Sequence, residues 1–335
     1  MTLLEVNNLN VRFPTEDGVV HAVRDVSFSV DRGNVLGIVG ESGSGKSVTA
    51  MAIMGLLPRS ARITGSVRFD GVELLDLDVK RRASYRGSHM GMVFQDPMTS
   101  LNPVYSIGWQ LAEAVRTHHQ LSKKEARGRA VELLDMVGIP RAAISVDRYP
   151  HEFSGGMRQR VMIAMAMANR PDLLIADEPT TALDVTVQAQ ILETLENIRQ
   201  EIGIAIMLIT HDLGVVAGMA DRMLVMYAGT VVEDGSVDDI FYRPRMPYTG
   251  GLLGAIPRVT TDGQRLNQIK GSTPSLINVK PGCPFSPRCP IVGDRCRTET
   301  PRLAATDEPG HLAACWKWSE LVGVDASALF LREPA

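Results

Sequence analysis

The stretch Gly40-Glu-Ser-Gly-Ser-Gly-Lys-Ser47 decides the fold class of this 335-residue chain. It lies between the apolar segment Val35–Val39, a predicted strand, and the apolar segment Val48–Leu57, a predicted helix. In this context the pattern G-x-x-x-x-G-K-S predicts a phosphate-binding P-loop, because its glycines let backbone amides approach a polyphosphate closely. The residues predicted to bind the nucleotide here are Gly40, Ser42, Gly43, Ser44, Gly45, Lys46, Ser47 and Val48.

Two side chains of this loop have specific predicted roles. Lys46 reaches the β- and γ-phosphates, and the hydroxyl of Ser47 ligates magnesium. The structural alternative is a glycine-rich turn that joins a strand to a helix and binds nothing. The complete pattern, in the right strand and helix context, favours the phosphate site.

Short apolar segments rich in β-branched residues alternate with longer helical patterns, which is typical of a parallel sheet covered by helices. The stretch from about residue 96 to 166 is mostly helical, so we predict an inserted helical subdomain there. Within it, Ser122-Lys-Lys-Glu125 predicts a capping box at the start of a helix that ends near Val137. The predicted strands are Val35–Val39, Met90–Phe94, Leu173–Asp177 and Ile204–Thr210.

The chain changes character near Gly235, where the sequence becomes rich in proline and glycine and loses its periodicity. We therefore predict a nucleotide-binding domain over residues 1–235 and a C-terminal extension over residues 236–335. The net charge of −3 gives no basic field for nucleic acid, so we predict no nucleic-acid partner. No N-terminal pattern predicts export, and no apolar run approaches the roughly 20 residues that span a bilayer, so we expect the chain to stay in the cytosol.

The segment Leu173-Leu-Ile-Ala-Asp-Glu178 is an apolar strand that ends in two adjacent carboxylates. Asp177 suits the magnesium shell, and Glu178 suits a base that orients the attacking water. Such a pair is by itself more typical of a solvated turn. Its place after a P-loop and before Pro179-Thr-Thr-Ala-Leu-Asp184 favours the catalytic interpretation.

The segment Phe153-Ser-Gly-Gly-Met-Arg-Gln-Arg160 resembles the signature motif of the ABC ATPase family, although Met157 replaces the more usual Gln. The order of the motifs also resembles that family, with the P-loop first and His211 last. The resemblance implies an α/β P-loop NTPase fold with a RecA-like core, an antiparallel β subdomain and an inserted helical subdomain. It also implies two ATPase subunits that sandwich two ATP molecules, so that the signature of one subunit completes the site of the other.

The same resemblance implies roles for further residues. Gln95 would sense the γ-phosphate and ligate magnesium, and His211 would act at the γ-phosphate beside Glu178. Phe13 would stack on adenine, with a core position in the first sheet as the equal alternative. Other residues are implied to bind the nucleotide. In the signature these are Ser154, Gly155, Gly156 and Gln159, and in the loop after the strand Leu173–Asp177 it is Asp184.

The segments Phe241–Gly250 and Gly282–Pro290 resemble the C-terminal extension of dipeptide, oligopeptide and nickel transporter ATPases. The signature sequence is similar to that of D-type subunits. This similarity implies a heterodimer with an F-type ATPase at the cytoplasmic face of the inner membrane. Two transmembrane permease subunits and an extracytoplasmic solute-binding protein are the other implied partners. The implied function is ATP-driven import of di- or oligopeptides. A nickel or other small-solute importer is the first alternative, and a soluble ABC ATPase acting on nucleic acid or ribosomes the second.

All four cysteines lie in the extension, within a segment, residues 281–315, that contains little to form a core. Their spacings of 5, 6 and 18 intervening residues do not match the paired C-x2-C of common zinc sites. Four thiolates suit either zinc or an iron–sulfur cluster, and buried cysteines without a ligand are the structural alternative. The resemblance implies a [4Fe-4S] cluster, with zinc as the alternative and His311 as a possible substitute zinc ligand. The proposed ligands are Cys283, Cys289, Cys296 and Cys315.

Overall fold

The computed structural model describes residues 1–96, 100–181, 183–256, 269–277 and 279–330. Its strands are β1 (Thr2–Thr15), β2 (Gly18–Asp31), β3 (Val35–Val39), β4 (Arg62–Phe69), β5 (Val72–Glu73), β6 (Met90–Val93), β7 (Leu173–Asp177), β8 (Ala205–Thr210), β9 (Arg222–Tyr227), β10 (Thr230–Ser236), β11 (Ala304–Ala305) and β12 (Leu312–Ala313). Its α-helices are α1 (Lys46–Met54), α2 (Val79–Tyr85), α3 (Ile107–Arg116), α4 (Lys123–Met136), α5 (Ala142–Ser145), α6 (Gly155–Ala166), α7 (Val185–Ile202), α8 (Leu213–Ala217), α9 (Val237–Tyr242), α10 (Pro247–Gly254) and α11 (Asp294–Thr298).

The chain forms two compact units, each assembled from distant stretches of sequence. The first unit consists of Met1–Leu4, Val30–Val35 and Phe69–Ile209. The second consists of Glu5–Ser29, Leu36–Arg68 and Thr210–Ala335. Neither unit coincides with a continuous segment, so the predicted boundary near Gly235 stays a prediction.

The first unit contains a parallel sheet in which β7 lies between β6 and β8. Met90 pairs with Leu173, and Asp177 pairs with Ile209, which aligns the strand ends at one edge. Every residue of β7 is buried, as expected for a parallel strand with both faces covered. The predicted strands at these positions are confirmed to within one residue.

The stretch predicted as a helical subdomain contains α3, α4, α5 and α6 among its described residues, which confirms its helical character. Residues 97–99, at its start, lie outside the described ranges. The predicted capping box is present: Ser122 Oγ accepts from the Glu125 amide at 3.3 Å, and Glu125 accepts from the Ser122 amide at 2.8 Å. The buried residues of α4 recur with helical period and form one stripe: Ala126, Ala130, Leu133 and Leu134.

The second unit contains the P-loop and the C-terminal extension. Its strand β3 runs parallel to β9, with Val39 opposite Val225. The next pairs are all antiparallel: β9 with β10, β10 with β12, and β12 with β11. A separate sheet has the strand order β2-β1-β4. This sheet is the candidate for the antiparallel β subdomain that the resemblance implies. The described residues include no helix that is long and apolar enough to span a membrane.

An aromatic cluster forms part of the core of the second unit. The rings of Tyr227, Tyr248 and Phe285 lie 4.6 to 5.4 Å apart between centroids, and all three side chains are buried. Phe285 lies in the segment that we expected to contribute little core. That expectation is wrong, because this single ring packs on side chains from β9 and α10 that are distant in sequence.

Two glycines of the first unit allow a matched test of its packing. A Cβ on Gly91 in β6 would lie 2.4 Å from the carbonyl oxygen of Ala166, whereas a Cβ on Gly128 in α4 would meet nothing within 4 Å. We expect Gly91→Ala to lower the free energy of unfolding by about 1–3 kcal/mol. Gly128→Ala is expected to raise it by about 0.5–1 kcal/mol, because alanine loses less backbone entropy in a helix. Urea unfolding measures both changes, and wild-type stability of Gly91→Ala would contradict the close packing of β6 on α6.

Candidate nucleotide site and cysteine cavity

The turn that joins β3 to α1 has the tight backbone that the P-loop prediction requires. Gly40 has a φ of 152°, and a Cβ there would lie 2.2 Å from the carbonyl oxygen of Met226. No other residue type fits this position without moving β9, so glycine is needed for the close approach. The turn exposes Ser42 and Gly43, buries Ser44, and leaves Ser47 and Val48 half-buried.

The helix that follows begins at Lys46, two residues before the predicted Val48. Its N-cap, Gly45, has no side chain to satisfy the first helical amides, so these amides and the positive end of the helix dipole are suited to bind an anion. The Lys46 ammonium donates to the carbonyl oxygens of Gly40 at 2.7 Å and Glu41 at 3.1 Å. These two hydrogen bonds fix the positive charge of Lys46 next to the P-loop backbone.

The end of β7 brings together residues that the sequence suggested separately. Asp177 ends the strand and is buried, and Glu178 follows it with a φ of 48°. The carboxylate of Glu178 accepts from Gln95 Nε2 at 3.0 Å and from the Thr181 hydroxyl at 2.7 Å. A left-handed backbone is disfavoured for Glu, and such conformations cluster at functional sites. Sequence reasoning missed Thr181, although its position three residues after Glu178 in a turn was the available signal.

The signature residues lie at the start of α6. Ser154 is the N-cap, and its hydroxyl accepts from the Met157 amide at 3.3 Å, while Gly155 and Gly156 form the first turn. The signature segment therefore forms the N-terminus of α6. The side chain of Gln159 is only 2% exposed, so among the signature residues it is the least accessible to a ligand.

The other predicted site residues, Asp184, Phe13 and His211, differ in their contacts and in their exposure to solvent. Asp184 caps α7 by accepting from the Val187 amide at 3.0 Å, and residue 182 of the same predicted loop lies outside the described residues. Phe13 on β1 is half-buried, which leaves both interpretations of its ring open. His211 is exposed directly after β8. The roles of all three stay predictions.

The four cysteines line one narrow apolar cavity in the second unit, together with Phe285 and other side chains. Burial raises the pKa of Cys289 to about 11 and that of Cys315 to about 12, and it also raises the pKa of Cys283. Yet the described residues include no group of three or more His, Cys, Asp or Glu side chains arranged to hold a metal ion. The expected metal-binding character of the extension is therefore not supported by this arrangement.

His311 does not belong to the cysteine cavity. It is fully buried, and its Nε2 lies 2.9 Å from a carboxylate oxygen of Glu233 on β10. Its possible role as a zinc ligand is therefore a wrong expectation. A buried carboxylate needs a polar partner, and that need explains the position of this histidine.

Comparisons with known proteins agree with the motifs. The family model described as ABC transporter matches residues 23–181, and the model described as oligopeptide/dipeptide transporter, C-terminal region, matches residues 232–296. The oligopeptide transport ATP-binding protein OppD of Salmonella typhimurium is 53% identical over 315 residues, which cover 94% of this chain and 93% of that protein. OppD of Mycobacterium tuberculosis is 54% identical over 98% of this chain, but the chain spans only about half, 54%, of that protein's length.

Solved structures show a similar fold. A dimeric ATP-binding cassette in a post-hydrolysis state, bound to ADP and Pi, matches with a TM-score of 0.64 and 28% identity, over 70% of this chain and 99% of that one. The structure of cbiO1 from Clostridium perfringens, part of the transporter complex cbiONQ, matches with a TM-score of 0.63 and 31% identity, over 72% of this chain and 91% of that one. The P-loop NTPase fold that the resemblance to ABC ATPases implied is thereby confirmed.

The raised pKa values predict unreactive thiols in the metal-free chain. Burial favours the protonated thiols of Cys289 and Cys315 in the folded state, so their contribution to stability is present below about pH 8.5 and is lost as the pH rises through 11 to 12. At pH 8 we expect alkylation of these two thiols to be at least about a hundredfold slower in the native chain than in urea. Mass spectrometry of the labelled peptides measures both rates, and equal rates would contradict the buried cavity.

Proposed function

Because this chain belongs to the ABC transporter ATP-binding proteins of the oligopeptide/dipeptide branch, we propose that it hydrolyses ATP to energise peptide uptake through a separate permease. Two family models support this proposal, since one matches the P-loop region and the other the extension. The named relatives are oligopeptide transport ATP-binding proteins. We assign residues 1–235 to the nucleotide-binding domain and residues 236–335 to the extension.

The observation that carries the proposal is the hydrogen bond between Gln95 and Glu178. The two side chains come from the ends of β6 and β7, which are neighbours in the parallel sheet. A carboxylate held by two donors, Gln95 and Thr181, is fixed in orientation, as a base that positions a water molecule must be. Glu178 then accepts a proton from the attacking water.

The remaining groups of the site bind and orient the triphosphate. Lys46 and the first amides of α1 would hold its oxygens, because both present positive charge to the loop. Ser47, Asp177 and Gln95 would hold Mg2+, which neutralises charge on the β- and γ-phosphates when bound. His211 would donate to the γ-phosphate, and the half-buried ring of Phe13 would contact the adenine.

Assembly completes the proposed site. The N-terminus of α6, with Ser154, Gly155 and Gly156, offers amides that would bind the ATP of a second ATPase subunit, and Asp184 would lie at the same interface. The dimeric state of the similar cassette supports this arrangement. We propose an F-type ATPase as the second subunit, two transmembrane permease subunits, and an extracytoplasmic solute-binding protein. This assembly would hold the chain at the cytoplasmic face of the inner membrane.

Substitution of Glu178 tests the proposed chemistry. Glu178→Gln keeps the size of the side chain and removes the base, so we expect ATP hydrolysis to fall by at least about a hundredfold. Binding of ATP is expected to stay within about twofold of wild type, because the P-loop is unchanged. Steady-state phosphate release and nucleotide titration on the assembled complex measure the two effects.

Glu132→Gln is the matched control for this test. Glu132 is an exposed residue of α4 that pairs with Arg129, so its loss should leave hydrolysis at the wild-type level. Unchanged hydrolysis in Glu178→Gln would contradict the proposed base and would assign the chemistry to the partner subunit.

We further propose that the cysteine cavity binds a [4Fe-4S] cluster. The support is that Cys283, Cys289, Cys296 and Cys315 all line one apolar cavity, and four thiolates form a complete ligand set for such a cluster. The thiols of a cluster bind four different iron atoms, so they need not converge on one point as the ligands of a single zinc ion must. When bound, the cluster would cross-link the loops of the extension, and these residues would hold it as thiolates.

Elemental analysis distinguishes the cluster from zinc. We expect about four irons and four sulfides per chain after anaerobic purification, and loss of both in Cys289→Ser, because one ligand of the set is removed. Ser286→Ala, a change beside the same cavity that removes no thiol, should retain them. One zinc without sulfide, or no metal at all, would overturn the assignment.

A further inference from the structure

The C-terminal extension contacts the P-loop through an ion pair between Arg288 and Glu41. Arg288 Nη1 donates to Glu41 Oε2 at 2.7 Å, and Arg288 Nη2 donates to Glu41 Oε1 at 2.9 Å. The arginine side chain is 6% exposed and the glutamate side chain 25% exposed. Glu41 is the second residue of the P-loop, and 247 positions separate it from Arg288 in the sequence. This planar, two-bond geometry is the strongest form of an arginine–carboxylate contact.

Arg288 is itself held rigidly by the extension. Its Nε donates to the carbonyl oxygen of Lys270 at 3.1 Å, and Nη2 also donates to that of Ile269 at 3.2 Å. Nη1 lies 3.3 Å from the hydroxyl of Tyr227. With the two bonds to Glu41, all five donors of the guanidinium are used. The hydrogen bonds to Glu41 raise the pKa of Arg288 above its ordinary value, which agrees with a well-made ion pair.

A second contact fixes the backbone of the same P-loop residue. The amide of Glu41 donates to the hydroxyl of Tyr248 at 2.8 Å, and Tyr248 is fully buried in α10. The carbonyl oxygen of Glu41 accepts from the Lys46 ammonium. The side chain, amide and carbonyl of Glu41 therefore each have a partner, and two of these three partners come from beyond residue 235.

We propose that Arg288 and Tyr248 are positioning residues for ATP binding, and that the extension thereby sets the shape of the P-loop. The inference rests on the proposed function, since it assumes that the loop binds ATP. Fixing Glu41 restrains the loop before the nucleotide arrives, and it aims the Lys46 ammonium that Glu41 helps to hold. A loop restrained in its binding shape pays less ordering entropy when the phosphates bind. Neither residue would touch the nucleotide itself.

A purely structural role would make a different prediction. If the ion pair only attached the extension, its loss would lower stability and leave the affinity of the folded chain for ATP unchanged. If it positions the loop, its loss weakens ATP binding and raises KM, while kcat changes little because Glu178 and Gln95 are untouched. Affinity, KM and kcat therefore separate the two roles.

The experiment is a double-mutant cycle on the full chain, with a fluorescent ATP analogue and Mg2+ as the probe. We expect Arg288→Ala and Glu41→Ala each to raise the Kd about tenfold, the scale of a hydrogen-bonded charged pair. The double variant should be no weaker than either single one, because both remove the same interaction. In the assembled complex, KM should rise in parallel and kcat should stay within about twofold.

If Arg288→Ala does not fold, two more conservative variants still test the positioning role. Tyr248→Phe removes only the hydroxyl that accepts from Glu41, and Arg288→Lys keeps the charge but loses the two-bond geometry. Both should raise the Kd several-fold. The control is the Arg295–Glu299 pair, an exposed arginine–glutamate contact of 2.9 Å in the same extension, whose alanine variants should bind like wild type.

The outcomes separate the inference from the proposed function. Additive effects in the cycle, or wild-type Kd in folded Tyr248→Phe and Arg288→Lys chains, would overturn the positioning role alone. A wild-type chain that binds no ATP analogue would overturn the proposed function and the inference together. Tighter coupling in the control pair than in Arg288–Glu41 would also overturn the positioning role.

Discussion

The candidate nucleotide site depends on one steric constraint, the close approach of the P-loop backbone to β9. The carbonyl oxygen of Met226 occupies the space that a Cβ on Gly40 would need, at 2.2 Å. Only glycine, which has no side chain, therefore fits at residue 40. The loop then continues to the N-terminus of α1, which has no side-chain cap. Lys46, the first residue of that helix, extends its ammonium back over the same turn. Backbone amides and a positive charge thus meet where a polyphosphate can bind.

A second constraint comes from the buried sheet of the first unit. Every residue of β7 up to Asp177 is buried, so polar side chains can act only at the end of the strand. Glu178 occupies that end in a left-handed conformation and accepts from Gln95 and Thr181. The cost of this backbone is offset by the two donors that fix the carboxylate. Positioning of this kind, together with charge stabilisation, is the main source of catalysis in phosphoryl transfer.

The sequence predicted the features that have a local pattern. The strands, the capping box at Ser122 and the P-loop all follow from short-range periodicity or spacing. Contacts between distant residues had no such signal. The pairing of Arg288 with Glu41 and of His311 with Glu233, and the burial of Phe285, arise only when separate segments fold together. The shared cavity of the four cysteines is likewise visible only in three dimensions.

The decisive measurement is the rate of ATP hydrolysis with and without peptide. The chain would be reconstituted in lipid vesicles with the proposed partners, which are an F-type ATPase, the permease subunits and the solute-binding protein. Phosphate release and uptake of a labelled oligopeptide would be measured together. We expect peptide to raise hydrolysis, and we expect peptide to accumulate in the vesicles only when ATP is present at the face bearing this chain. Hydrolysis that is indifferent to peptide, with no ATP-dependent uptake, would contradict the proposed function.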